Sequence, residues 1–202
     1  PGVASTGSGS STNGAAPGAA GASVVDIDIP ELGVLRTAHL ITIISEMAAA
    51  HVGHYARHRT EYGLDTRLNL ALARKLQAYD YVHAQRHRAR FCRHFARVLR
   101  DVDVIVTPST GCTAPPLPPD ALLSGESNLE ITDRIMRFAA AANMTGLPAL
   151  TVPAGYDEAG LPVGLQLMGR PWQEHLLLRL ATTAQRHVRR APPKVHYRYL
   201  TG

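Results

Sequence analysis

The fold is decided by two stretches. One is DVDVIVTPSTGCTAPPLPPDALL at 101–123, and the other is RFAAAANMTGLPALTVPAGYDEAGLPVGLQLMGRPW at 137–172. In the first, Val102 to Thr107 is a short apolar run that ends at Pro108. That length and composition predict a buried strand, followed by a loop. In the second, the opening RFAAAAN predicts the end of a helix near Asn143, followed by a break at Gly146 and Pro148. Ala149–Val152 and Val163–Met168 then predict two strands joined by a turn at Gly155 to Gly160. Apolar runs bounded by Gly and Pro suit interior strands of a covered sheet. The five prolines at 108, 115, 116, 118 and 119 exclude helix from the intervening segment and predict an ordered loop.

Outward from there, Pro1 to Ser23 is Gly, Ser, Ala and Thr with little to bury, and reads as a flexible, disordered linker. VVDIDIP at 24–30 alternates apolar and acidic residues and predicts a short strand. A helix is predicted from Glu31 to about Arg59, with Leu35, Leu40, Ile43, Ile44 and Met47 on one stripe. Another is predicted from an Asp65 cap to about Arg100, long enough to span a larger body or to hide a kink. Asn128 or Thr132 caps the helix leading to Asn143, and a last helix runs from about Gln173 to Arg190. The organisation expected is a linker over 1–23, one domain over 24–190 and a tail over 191–202.

The 202 residues suffice for a real core, and 45% apolar content is ordinary for a globular chain. No run of 18 uncharged apolar residues occurs, because Arg36, His39 and Glu46 interrupt Leu35 to Val52. No transmembrane helix is predicted on that criterion. Two cysteines, Cys92 and Cys112, are too few for a disulfide framework, which makes an intracellular location the default. The net charge of +5 is concentrated in Arg86, Arg88, Arg90, Arg93, Arg97 and Arg100. A solvated helix face is the ordinary account of such a run. Contact with an anionic membrane is the rival. Nucleic acid is not expected as a partner, since no base-reading motif accompanies the charge.

The chain resembles the C-terminal part of the amidase signature family, and within it the plant-type fatty acid amide hydrolase branch. The words that carry the likeness are DVIVTP at 103–108, APPLPPDAL at 114–122 and the run at 137–172 already quoted. TAHLITI at 37–43 and LDTRL at 64–68 also fit the plant-type branch. The resemblance implies an α/β fold, the C-terminal portion of the amidase signature fold, with a mixed sheet covered by helices and incomplete as given. It also implies hydrolysis of carbon–nitrogen amide bonds, with N-acyl amides of fatty acids as the substrate class and no cofactor.

The family's catalysis uses a Ser–Ser–Lys arrangement that the resemblance places upstream of these words. The chain's two lysines, Lys75 and Lys194, lack the family's surrounding sequence, and Lys75 reads as mid-helix. GSGSSTNG at 7–14 imitates the Gly-Ser loop that holds the family's serines, but has no lysine before it and lies in a low-complexity tract. No catalytic residue is therefore assigned within this chain. The resemblance does imply substrate-binding positions: Leu40, Ile43, Leu70, Ala73, Thr132 and Met136, where the plant-type branch lines its acyl pocket. Ala73 is smaller than the aromatic side chain expected there. Ordinary core packing accounts for the same residues about as well.

His51, His54 and His58 share one helix face, as do His83 and His87. That spacing suits zinc, but no acidic or cysteine ligand is evident beside either set, so no metal is expected. Two further readings stay open. One is a truncated, non-catalytic module that binds acyl lipids or a partner. The other is a general amidase or an aminoacyl-tRNA amidotransferase A-subunit-like protein, since GLPVGLQLMGR is shared with those. The remaining expectations are an N-acyl amide substrate, peripheral contact with an endomembrane or the plasma membrane, and a homodimer.

Overall fold

The computed structural model describes residues 2–5, 21–120, 128–188 and 191. The chain forms two compact units. One comprises Pro1–Asp28, Val98–Ala114 and Leu147–Gly202 and holds the sheet. The other comprises Ile29–Arg97 and Pro115–Gly146 and is helical.

The first unit is built on a five-stranded mixed sheet. Its strands are β1 (Gly2–Ser5), β2 (Ser23–Asp26), β3 (Val104–Pro108), β4 (Ala149–Tyr156) and β5 (Pro162–Gly169), in the order β2-β1-β3-β5-β4. β1 pairs in parallel with both β2 and β3, whereas β5 is antiparallel to β3 and to β4. β1 lies inside the stretch read from composition as linker, so that reading is corrected for Gly2–Ser5. A central strand gains its place through ladder hydrogen bonds from its backbone, which polar and small residues supply as well as apolar ones. Residues 6–20 lie outside the described residues.

The hairpin follows from its turn. Asp157 N–H donates to the Leu161 carbonyl at 2.9 Å, and the Asp157 carboxylate accepts from Leu161 N–H at 2.8 Å. Gly160 supplies the positive φ of 82° that closes the loop. The hydrogen bond from Leu161 comes first among the causes that hold the Asp157 carboxyl below its usual range, with the Thr113 hydroxyl second. Gly155 belongs to β4, where the register shifts between Pro153 and Gly155, rather than to the turn.

Alternation sorts the two sheet faces. Val104, Val106, Val152 and Leu167 pack with Leu177 and Ala181 of the last helix, Glu174–Gln185. That helix ends earlier than the sequence pattern suggested. The opposite face carries Ile105, Met168, Thr107 and Gln166, all buried.

The second unit consists of α1 (Leu32–His58), α2 (Leu64–Ala73), α4 (Leu129–Met136), α5 (Ala139–Thr145) and most of α3 (Ala78–Asp101); the Glu174–Gln185 helix is α6. The single long helix expected from Asp65 to Arg100 is two helices. The break falls at Arg74–Gln77, where Gln77 N–H donates to the Asp80 carboxylate at 2.8 Å. The cap of α2 is Gly63, with Asp65 inside the first turn. Asn128 caps α4 as expected, accepting from Ile131 N–H at 3.1 Å. The helix toward Asn143 is also interrupted, between Met136 and Ala139, and Gly146 ends α5 in the left-handed region.

α1 packs against α2 and α5. Leu32–Glu61 is long and apolar enough, by length and composition, to cross a membrane, which the stricter criterion applied to the sequence did not pass. Its polar side chains nevertheless have partners on neighbouring helices. Thr42 Oγ1 accepts from Gln85 at 3.0 Å, Glu46 accepts from Tyr81 Oη at 3.0 Å, and Arg36 pairs with Asp133 at 3.2 Å.

Candidate functional site

The helical unit holds all six residues implied as substrate-binding. Leu40 and Ile43 lie on the stripe of α1 that begins at Arg36, at positions i+4 and i+7, and are 43% and 39% exposed. The Arg36–Asp133 ion pair ties this stripe to α4. Asp133 sits beside Thr132 and one turn before Met136 in α4; the pair itself is exposed, and α4 is not among the elements that pack closely on α1. Thr132 spends its hydroxyl on the Asn128 carbonyl at 2.9 Å, which satisfies its polar atom within the helix. Met136 is half-buried at the end of α4. Leu70 and Ala73 are buried on α2, at 3% and 9% exposure, and α2 packs on α1.

The chemistry available there is that of an apolar surface with one polar end. The exposed carbons of Leu40 and Ile43 suit a hydrocarbon chain, which needs few polar partners. Arg36 and Asp133 satisfy each other.

Next to Leu40, His39 is buried, and its Nε2 accepts from Asn143 Nδ2 at 3.3 Å. That pairing leaves the ring proton on Nδ1. Burial pushes the His39 pKa below its ordinary value, so the neutral ring is favoured. The sequence drew notice to His39 only as a polar interruption in an apolar run. Its apolar neighbours at Leu35 and Ala38 were the available signal of burial.

The other histidines form a different cluster from the one their spacing suggested. Tyr62 Oη lies 3.0 Å from His51 Nδ1 and 2.7 Å from His54 Nδ1. The His54 and His58 rings stack at 4.3 Å, and His58 Nδ1 lies 2.8 Å from Glu61. The acidic neighbour that seemed lacking is therefore Glu61, which folds back through the 3-10 turn at Arg59–Glu61. Among the described residues no group of three or more His, Cys, Asp or Glu side chains is gathered to hold a metal ion. His87 accepts from Arg90 at 2.9 Å.

Lys75 is exposed in the turn after α2 rather than mid-helix. Lys194 and the serines of residues 7–14 lie outside the described residues.

In the sheet unit, a polar row crosses the face opposite α6. Gln166 Nε2 donates to Thr107 Oγ1 at 3.1 Å, and Thr151 stands opposite Gln166 in the neighbouring strand. Ser109 Oγ donates to Thr151 Oγ1 at 3.1 Å. Two of the four, Thr107 and Gln166, are buried and satisfied by one another. The sequence reading took these strands as wholly apolar and missed the row. Its signal was the single polar residue in each of VIVTP and GLQLMG.

A protein-family model described as Amidase matches residues 17–178. The fatty acid amide hydrolase of Arabidopsis thaliana is 46% identical over 166 residues, covering 82% of this chain and 27% of that protein. The fatty acid amide hydrolase of Oryza sativa subsp. indica is 47% identical over the same share of this chain and 27% of its own length. This chain thus spans little more than a quarter of those relatives. A solved structure described as a crystal structure of amidase superposes with a TM-score of 0.72 at 24% identity, over 84% of this chain and 38% of that one. At that identity the likeness bears on the fold alone.

Proposed function

The chain belongs to the amidase family, and from that membership we propose that its protein hydrolyses carbon–nitrogen amide bonds, with N-acyl amides of long-chain fatty acids as the substrate class. In this reading the chain supplies scaffold and a wall of the substrate pocket. The nucleophilic serine, its relay serine and the lysine come from residues other than those of this chain.

The observation that supports the substrate class is the partly exposed apolar pair Leu40 and Ile43 on α1, beside which the Arg36–Asp133 ion pair links α1 to α4. A hydrocarbon tail gains free energy in proportion to the area it removes from water, at about 25 cal/mol per Å². A short acyl group cannot collect that gain. The level of identity to two plant fatty acid amide hydrolases supports the same class.

The test is a hydrolysis assay with N-acyl amides of long and short acyl chains, using the full-length polypeptide and the 202-residue chain in parallel. The expected result is preference for the long chain by the full-length protein and no turnover by the chain alone. Robust turnover by the 202 residues alone would overturn the assignment of the nucleophile. Equal rates on long and short acyl groups would overturn the substrate class. An intracellular location and a homodimer go with this reading, and are tested by imaging the tagged protein and by its mass in solution.

A further inference from the structure

The C-terminal turns of α1 gather donor atoms that the proposed chemistry does not use. His51, His54 and His58 lie at i, i+3 and i+7 on one helix face. The 3-10 turn at Arg59–Glu61 then reverses the chain, and Tyr62 follows it in an extended conformation. The Tyr62 hydroxyl comes back over the helix, 3.0 Å from His51 Nδ1 and 2.7 Å from His54 Nδ1. All three donors belong to one stretch, 51–62, so their meeting is set by local chain geometry.

Each of these rings has a second contact that restrains it. The Tyr62 ring meets the buried Tyr55 edge-on, with centroids 5.1 Å apart. The His51 ring meets Tyr62 edge-on at 5.6 Å. His54 stacks on His58 at 4.3 Å, and His58 Nδ1 lies 2.8 Å from the Glu61 carboxylate.

A phenol has one proton to give, and a neutral imidazole has one nitrogen lone pair. The Tyr62 hydroxyl therefore donates to only one of the two Nδ1 atoms, and with neutral rings the other Nδ1 donates to it. Two ring nitrogens and one oxygen converge, held together by two protons. A metal ion in place of those protons takes all three atoms as ligands. At metal–ligand bonds of about 2.0–2.1 Å, ligands at right angles stand about 2.9 Å apart, and ligands at the tetrahedral angle about 3.3 Å. The 2.7 and 3.0 Å separations match the right-angled case. Square-planar and tetragonal sites of N and O donors favour Cu(II) and Ni(II), and Cu(II) stands highest in the affinity order of the divalent series. Three ligands of the His, Cys, Asp or Glu types are not gathered among the described residues, and here the third donor is a phenol.

We propose that His51 Nδ1, His54 Nδ1 and Tyr62 Oη form a Cu(II) site, completed by water. On binding, the phenol proton passes to solvent. The imidazole that carried Nδ1–H takes the Nε2–H form by exchange with water, and copper stays Cu(II), so no electron moves. His58 and Glu61 are positioning residues, since their pairing holds the ring on which His54 stacks. The site stands apart from the amide chemistry and holds or fails whatever the substrate.

The experiment is titration of the untagged full-length protein with copper(II) chloride, followed by visible absorption and electron paramagnetic resonance. H51A, H54A and Y62F are compared with wild type, and H83A/H87A on α3 is the histidine control. The expected result is one saturable site with a phenolate-to-copper charge-transfer band. Y62F abolishes the band and keeps weaker binding. H51A and H54A each weaken binding by about tenfold or more, since loss of even an outer partner of a metal ligand costs that much. The control leaves binding unchanged. Three results would overturn the proposal: a band that survives in Y62F, equal weakening in H83A/H87A, or no saturable binding. Circular dichroism of each variant is compared with wild type. Y62F removes one oxygen and keeps the ring that packs on Tyr55, so it decides the matter even if a histidine variant misfolds.

Discussion

Arg170 reaches across from the end of β5 to cap α3: its Nε–H donates to the Leu99 carbonyl at 2.6 Å. Nη2 of the same guanidinium donates to the Val102 carbonyl at 3.0 Å, and Asp103 lies 3.7 Å away. The last carbonyls of a helix have no intrahelical partner, and a cation there also meets the negative end of the helix dipole. The fixed fork of the guanidinium aims Nε and Nη2 at the two carbonyls without further loss of rotamer freedom, which a lysine ammonium on a flexible stem does not match. R170K keeps the charge and loses one of the two bonds, so a destabilisation of about 1–2 kcal/mol is expected. R170A is expected to cost more. Urea midpoints at constant slope measure both, and an unchanged midpoint in R170K would show that charge alone suffices.

Gly164 is the point of closest approach in the sheet. A Cβ there would stand 2.7 Å from Ser109 Oγ and 3.1 Å from Thr151 Cγ2. The Ser109 N–H is itself bonded to the Gly164 carbonyl at 2.9 Å, so the backbones cannot easily part. G164A is expected to destabilise by about 1–3 kcal/mol through overpacking. Adding S109G removes the nearest obstructing atoms and should return part of that loss. A double-mutant cycle in urea measures the recovery, and strict additivity of the two changes would contradict the contact.

The strands around Val104, Leu150 and Leu167 were legible because burial on both sheet faces leaves apolar runs that Gly and Pro bound. The mixed sheet and its helical cover matched what the family words implied. The break between α2 and α3 was not legible. No Gly or Pro marks Arg74–Gln77, and the apolar period continues through Leu76; the visible local device is the Asp80 carboxylate, which accepts the Gln77 N–H at the start of α3. β1 was hidden for a different reason. Its place depends on pairing with β3 about a hundred residues away, which local composition does not encode. At the candidate site the sequence pointed to Leu40 and Ile43, but not to the Arg36–Asp133 pair that ties α4 to them. Ion pairs between residues 97 apart leave no local pattern.

His39 makes stability depend on pH in a stated direction. Its folded pKa lies below the ordinary value of 6.5 because burial disfavours the charged ring. The unfolded chain therefore binds the proton more readily than the folded one. The stabilisation is complete above about pH 6.5 and is lost as the pH falls from there toward the folded pKa. The slope contributed by one such group is at most about 1.4 kcal/mol per pH unit. H39L removes the titrating group, so the difference between its pH profile and that of wild type should be constant above pH 6.5 and shift below it, where wild type alone loses this stabilisation. Parallel profiles for the two proteins would show that His39 is not the source.

Leu40 and Ile43 offer the sharpest test of the acyl-chain reading, since each is more than a third exposed on α1. I43D places a charge on the apolar stripe, and its desolvation opposes any hydrocarbon laid along it. L40A removes buried contact from the bound chain without adding charge. For a long-chain N-acyl amide, I43D in the full-length protein is expected to raise KM at least tenfold, a loss of about 1.4 kcal/mol of uniform binding. L40A is expected to raise it a few fold. For a substrate with a short acyl group, neither variant should move KM or kcat, because the short chain does not reach the stripe. Thermal unfolding separates the alternatives. If the two variants unfold as wild type does and yet lower kcat equally on long and short substrates, the stripe is not where the acyl chain lies. Thr132 and Met136 supply the matching control across the Arg36–Asp133 pair: M136A should share the chain-length selectivity of L40A, while T132S should leave it unchanged.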